Sequence, residues 1–284
     1  MPKALVARFS QTGTTAQVAE SIARGLGSAG WQVDLHDIAA DGVPGLDGYE
    51  LLGVGTPTYF YRPPFVTQDF VRALPDLDGL ASFVFVLHGT TQGDCGNWIR
   101  KRLQRKGAAD LGYFHCFGAD YWLGYMQRGY LFSPDSPTDA ELASAEEFGG
   151  TVAARHGKEA PGVEALDGPT PLMYGLERLL VNRLSARLMY SKTFRVDGNC
   201  DGCGICVSAC PVHNITAREN GKPRWHSNCL LCATCELKCP QDAIHSALDW
   251  VVFAPFMNYN IKRAVKELYP YVQIEHARGK TRRI

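Results

Sequence analysis

Eight of the ten cysteines in this 284-residue chain follow one spacing that is used twice. Cys200, Cys203, Cys206 and Cys210 precede Pro211, and Cys229, Cys232, Cys235 and Cys239 precede Pro240, so the offset is 29 residues throughout. A thiolate every third residue lets a short loop wrap an iron–sulfur cube and offer three sulfurs to three irons, while the fourth cysteine, before proline, points to the other cube. The spacing predicts two [4Fe-4S] clusters, one held by Cys200, Cys203, Cys206 and Cys239 and the other by Cys229, Cys232, Cys235 and Cys210. Structural zinc takes sets of four from paired C-x2-C units and has no use for a third cysteine at the same spacing followed by C-P. A disulfide scaffold does not call for this pattern either.

A second constellation lies near the start. Ser10, Gln11, Thr12, Gly13, Thr14 and Thr15 run from an apolar segment directly into a helical one. Hydroxyls of Ser10, Thr12 and Thr15, with backbone N–H groups freed by Gly13 and the helix start, would surround a phosphate with neutral donors. The segment has no lysine, which argues against a triphosphate loop, and no G-x-G-x-x-G, which argues against a dinucleotide. A monophosphate suits it best.

The elements that must position these residues follow from the hydrophobic pattern. Residues 4–9, 31–35, 51–55, 83–87 and 113–117 are short apolar runs, the mark of strands covered on both faces. Between them, Val18, Ile22 and Leu26 with Ala19 and Ala23 give one helical apolar face, and Leu142, Ala145, Phe148 and Val152 give another. The expected fold class is α/β, a five-stranded doubly wound parallel sheet with ligands at the carboxyl ends of its strands, followed by a small α+β domain.

Residues 193–249 resemble the bacterial two-cluster ferredoxins, and all eight cysteines match. Over 195–249 there are six Asp/Glu against five Lys/Arg, a balance that does not imply an electron partner steered purely by a basic patch. Residues 1–156 resemble flavodoxin-like proteins, whose phosphate loop reads (S/T)-x-T-G-x-T. That resemblance implies FMN. It also places the isoalloxazine ring against two further loops, Thr56, Pro57, Thr58, Tyr59, Phe60 and Tyr61 after the third strand, and His88, Gly89, Thr90, Thr91, Gln92, Gly93, Asp94 and Cys95 after the fourth. Backbone amides there would meet the ring edge, and Tyr59 or Trp98 could stack on it. His88 could donate to the ring or serve the fold, and Cys95 reads as an incidental small residue because no oriented base accompanies it.

The whole chain resembles the flavodoxin/ferredoxin fusion proteins of anaerobes, in which residues such as Pro211-Val212-His213-Asn214-Ile215 also follow the first cysteine run. The expected organisation is an FMN domain over 1–156, a linker and bridging helix over 157–192, a 2[4Fe-4S] domain over 193–249 and an extension over 250–284. In the bridging helix, Leu172, Leu176, Leu180, Leu184 and Leu188 recur beside Arg178, Arg183 and Arg187, which reads as a packed amphipathic bridge with a solvated basic side. Trp250 to Phe256 reads as core, and the Arg278, Lys280, Arg282, Arg283 tail as solvated. Lys/Arg and Asp/Glu both number 29, so nothing indicates a nucleic-acid surface. The first residues lack a signal-peptide pattern and no apolar run approaches the roughly 18 residues of a membrane span, from which a cytoplasmic location in a reducing or anaerobic cell is expected.

Joining FMN to two cubes would convert between two-electron and one-electron currencies. The first reading is an intramolecular electron carrier serving a partner reductase. The alternative is an iron–sulfur flavoenzyme reducing a small organic substrate or quinone at FMN, and a third is an interaction protein without turnover. Gly118 to Pro137, a long connection carrying Tyr121, Trp122, Tyr125, Met126, Tyr130 and Phe132, separates them: it could wall a substrate pocket, clamp the cluster half, or pack on itself.

Overall fold

The apolar runs of the first half become five parallel strands. The computed structural model describes residues 1–158, 172–247 and 250–275, and the chain divides into two units, Met1–Ala119 with Asp135–Pro171, and Asp120–Pro134 with Leu172–Ile284. In the first unit the order is β1 (Lys3–Arg8), α1 (Thr14–Ser28), β2 (Gln32–Asp37), β3 (Leu51–Pro57), α2 (Phe65–Ala73), β4 (Ala81–His88), α3 (Cys95–Arg105) and β5 (Ala109–Phe117); α5 (Asp139–Arg155) closes it. The sheet order is β2-β1-β3-β4-β5, with every pairing parallel. This is a flavodoxin-like doubly wound sheet, whose strand order switches direction at β1 and β3.

Burial explains the order. Every residue of β4, next to the far edge, is buried, whereas β2 at the edge is half-exposed, so covering on both faces holds for the centre and not for that strand. Val18, Ile22 and Leu26 of α1 and Ala145 and Val152 of α5 pack on Val6, Phe83 and Phe85. Thr138 caps α5 in a reciprocal box with Glu141, whose other oxygen accepts the Phe117 N–H at 2.9 Å, tying the helix start to the end of β5. A buried Arg100–Asp110 ion pair, 2.7 Å apart, ties α3 to β5.

The second unit starts with a piece of the long connection, α4 (Leu123–Met126) and β6 (Tyr130–Phe132). It continues with α6 (Leu172–Leu180), α7 (Arg183–Leu188), β7 (Arg195–Val196), α8 (Ile205–Ser208), β8 (Ile215–Ala217), β9 (Pro223–Trp225), α9 (Thr234–Leu237), β10 (Ile244–His245), α10 (Ala254–Lys266) and β11 (Tyr271–Gln273). β7 pairs with β10, β8 with β9, and β6 with β11, all antiparallel.

Three expectations change. The bridging segment is two helices, because Asn182 caps a second start by accepting the Leu184 and Ser185 N–H groups. Its leucines do not pack: Tyr174 and Glu177 are the buried residues of α6, and Ala186 that of α7. Nor is Trp250–Phe256 core, since Val251 and Val252 are exposed in a short turn before α10, which turns Met257, Asn260, Ile261 and Ala264 inward instead. The linker beyond Lys158 and the basic tail lie outside the described residues.

Candidate cofactor sites

The loop after β1 has the features of an anion cradle. Gly13 precedes α1 with a left-handed φ of 94°, a conformation that only glycine adopts at little cost, and as the N-cap residue it brings no side-chain oxygen to the helix start. Its first turn carries no acidic residue. Ser10 Oγ accepts the Ala16 N–H at 3.3 Å, and Thr12 Oγ1 lies 3.3 Å from Thr14 Oγ1. Thr12 and Gly13 are exposed, Ser10, Gln11 and Thr14 half-buried, and Thr15 buried. A 15-residue helix that starts after a glycine N-cap, with hydroxyls beside its first N–H groups and no acidic residue in its first turn, fits a phosphate monoester.

The two ring loops are brought to the same sheet edge. Tyr59 donates its hydroxyl to the Gln11 side-chain carbonyl, joining the β3 loop to the phosphate loop. Asp94 N–H donates to Tyr61 O at 3.0 Å, and Thr58 N–H to Leu87 O at 2.8 Å, joining the β3 loop to the β4 loop. Phe60 and Tyr61 hold φ of 48° and 64°, a conformation costing a non-glycine residue about 1 kcal/mol or more. Thr56 is buried against Thr67 at 2.9 Å, and Thr91 Oγ1 accepts the Gly93 N–H at 3.4 Å. Cys95 is fully buried, its thiol 3.9 Å from Pro57 O, so it packs one loop on the other. Gly89 is half-buried and Thr90 buried.

His88 lies inside the protein with Nδ1 2.8 Å from Thr90 O and Nε2 3.3 Å from His115 Nδ1. Burial pushes its pKa down to about 4, against the Thr90 carbonyl, so the ring is neutral near pH 7. Trp98 is not free to stack on a flavin: it is buried, with the Arg102 guanidinium 3.5 Å from the centre of its ring. Tyr59, half-buried and edge-on to Phe9, keeps its place among the candidates.

In the second unit the repeated cysteines fold as a repeated backbone. Gly202, Gly204 and His213 have left-handed φ, and so do Leu231, Ala233 and Asp242, each 29 residues further on. Gly204 precedes α8 and Ala233 precedes α9, so each run turns back on itself and gathers its thiols. Two cavities result. Cys200, Cys203, Cys206 and Cys239 line one; Cys229, Cys232, Cys235 and Cys210 line the other. The fourth cysteine of each run thus sits with the first three of the other.

The surroundings suit cluster sulfurs. Asn214 N–H donates to Cys210 Sγ at 3.2 Å, and its repeat partner Ala243 N–H donates to Cys239 Sγ at 3.4 Å. Leu231 N–H donates to Cys229 Sγ at 3.4 Å. Burial, then the neighbouring Cys203 and Cys239, pushes the Cys206 thiol up to about 11; burial, then Cys232, pushes Cys229 up to about 12, with Cys210 adding to it. Buried thiols such as Cys206 and Cys229 bind as thiolates where metal cations offset burial and mutual repulsion. The Trp225 indole N–H is buried, and Trp225 lines the cavity of Cys235, whose thiol it faces as a donor. Its repeat counterpart, Val196, lines the other cavity and brings no donor. No group of three or more His, Cys, Asp or Glu among the described residues is placed to hold a single metal ion.

The sequence did not disclose what covers α9. Leu123 and Met126 of the long connection pack on Ala233 and Leu237, with Tyr121 and Ile274 at the margin. Tyr125 and Phe132 pack on Met257, Ile261 and Ala264 of α10, and Trp122 Nε1 donates to Met257 Sδ at 3.1 Å. Pairing between residues some 140 positions apart leaves no local signal; only the density of aromatics in the connection hints at it.

Residues 5–128 match the model of the flavodoxin domain, and residues 199–244 match that of the 4Fe-4S dicluster domain. The two matches on one chain support a fusion of a flavodoxin domain to a 4Fe-4S dicluster domain. Flavodoxin 1 of Salmonella typhimurium is 29% identical over 117 residues, covering 38% of this chain and 65% of that protein, so the chain spans just under two thirds of this relative's length. Among solved structures, oxidised flavodoxin 1 from Bacillus cereus is 19% identical with a TM-score of 0.44, covering 54% of this chain and 97% of that one. The two-electron reduced flavodoxin of Megasphaera elsdenii is 19% identical with a TM-score of 0.43, covering 53% and 98%. The flavodoxin domain implies FMN, and the second domain implies a [4Fe-4S] cluster.

Proposed function

We propose that this protein passes electrons between FMN and two [4Fe-4S] clusters within one chain, coupling two-electron and one-electron chemistry for a partner reductase. The observation that carries this reading is the crossing of the cysteine sets, each complete set of four lining its own cavity. FMN supplies one- and two-electron transfer when bound, and each cluster supplies one-electron transfer.

The chain's own groups divide the remaining work. Ser10, Thr12 and the N–H groups at the start of α1 hold the phosphate; Thr56 to Phe60 and His88 to Cys95 frame the ring, with neutral His88 adding no charge beside it. Asn214, Ala243 and Leu231 N–H groups donate to cysteine sulfurs, which favours the more negative, reduced cluster. Leu123 and Met126 exclude water from the face of α9 that follows Cys232.

Packing of the connection favours the carrier over the flavoenzyme. Tyr125 is buried against α10, so its hydroxyl is not offered to a small substrate. The segment 120–134 belongs to the cluster-bearing unit, yet its ends continue covalently into β5 and α5 of the FMN domain. That double connection is what a clamp requires.

Purification without oxygen, followed by flavin and metal analysis, tests the cofactor content. One FMN and eight iron per chain are expected; zinc in the cysteine sites, four iron, or FAD in place of FMN would overturn it.

A further inference from the structure

The leucines of α6 and α7 face outward. Leu179 is 70% exposed and Leu184 65%, with Leu176 and Leu188 also exposed. Tyr174 and Glu177 point the other way, Tyr174 edge-on to Tyr259 and Glu177 accepting the Asn260 side-chain N–H at 3.1 Å, which fixes α6 on α10 by its polar and aromatic side. A second exposed apolar segment belongs to the same unit: Val251 and Val252 are 86% and 64% exposed, next to exposed Trp250. The Tyr190 and Phe253 rings, 5.9 Å apart, hold the end of the α7 segment against this turn.

Charge around this face is one-sided. From Arg178 to Val196 there is no Asp or Glu, while Arg178, Arg183, Arg187, Lys192 and Arg195 supply five cations. From Trp250 to Lys266 there is again no acid, while Lys262 and Lys266 supply two cations, Arg263 being paired with Glu267 at 2.6 Å. Arg187, Lys192, Lys262 and Lys266 are exposed. Since the whole chain carries equal numbers of acids and bases, this acid-free band is local.

Exposed leucine, valine and tryptophan interleaved only with cations is the pattern that lies in the interface of an anionic bilayer: apolar side chains enter the acyl boundary, and arginine and lysine stems reach back to the phosphates. A second copy of the chain is a poor occupant, because a self-complementary contact would set cation against cation. We propose that the α6–α7 face and the Trp250–Val252 turn dock this protein peripherally on an anionic lipid surface. No helix among the described residues is long and apolar enough to cross a membrane, so the proposed mode is to lie on the surface.

The test is co-sedimentation of the full, cofactor-loaded chain with vesicles of equal parts phosphatidylglycerol and phosphatidylcholine, and with vesicles of phosphatidylcholine alone. Binding to the first, falling as salt is raised, is expected. Leu179→Asp with Leu184→Asp should weaken it at least about tenfold, and Arg187→Ala with Lys192→Ala about fivefold per cation. Both variants should keep the visible spectrum of flavin and clusters, showing that the fold survives. Absence of binding to the anionic vesicles, or equal and salt-insensitive binding to both kinds, overturns the proposal. So does a solution dimer that the leucine pair dissociates without any vesicle binding, which would assign the face to self-association.

Discussion

Cys210 lines the cavity of Cys229 and not the cavity of Cys206, its neighbour in the first run. The His213 turn behind it carries the chain into β8, and the Asn214 N–H holds its sulfur. Cys210→Ser should therefore damage the cube of Cys229, Cys232 and Cys235, and Cys239→Ser the cube of Cys200, Cys203 and Cys206. Electron paramagnetic resonance of the reduced variants distinguishes the two, and loss confined to the cube of the mutated run would reverse the ligand pairing.

Trp225 makes the two cavities unequal, because it brings a buried N–H donor to one where Val196 stands beside the other. Hydrogen bonds to cluster sulfurs raise the reduction potential. In Trp225→Phe the cluster of Cys210, Cys229, Cys232 and Cys235 should become harder to reduce while the other keeps its potential. Redox titration that finds both potentials unmoved would leave the indole without this role.

Thr12 is exposed at the mouth of the phosphate loop. Thr12→Ala should weaken FMN by about 1.5–3 kcal/mol, the worth of a hydrogen bond to a charged acceptor, and leave the iron content unchanged. Unaltered flavin affinity would move the phosphate elsewhere.

His88 links stability to pH. Its folded pKa, about 4, lies below the ordinary 6.5, so the unfolded chain takes up a proton first as pH falls. The stabilisation is fully present above pH 6.5 and drains away toward pH 4, amounting to about 3 kcal/mol at most. Urea unfolding across that window should show a shallower loss in His88→Asn than in the parent; equal slopes would mean that another group governs the acid limb.

Trp122 fastens the connection to α10. Trp122→Ala should destabilise the cluster-bearing unit by about 2 kcal/mol, roughly half the cost of truncating a fully buried tryptophan, and slow exchange between flavin and clusters. Tyr130→Phe, which keeps the ring stacked beside Phe132, should change neither. If Tyr130→Phe instead abolishes reduction of a small acceptor while internal exchange persists, the flavoenzyme reading gains.

Much of this arrangement is legible in the sequence because the chemistry is local. Cysteine spacing, the phosphate loop and the strand periodicity each depend on residues within about a dozen positions, so the cavities and the sheet follow from them. Left-handed Leu231 and Ala233 were not legible: their repeat counterparts are glycines, and only the offset of 29 residues marks them. The outward leucines of α6 also misled, since a stripe every four residues looks the same whether it meets a core or a lipid surface. What decides is Tyr174 and Glu177 on the opposite side, committed to α10.

The central claim is electron exchange inside one chain, and it is tested most directly by anaerobic stopped-flow reduction followed at flavin and cluster wavelengths over a range of protein concentrations. Redistribution between flavin and clusters at a rate independent of protein concentration is the expected result. A rate that rises in proportion to concentration, or clusters that stay oxidised beside reduced flavin of lower potential, would contradict it.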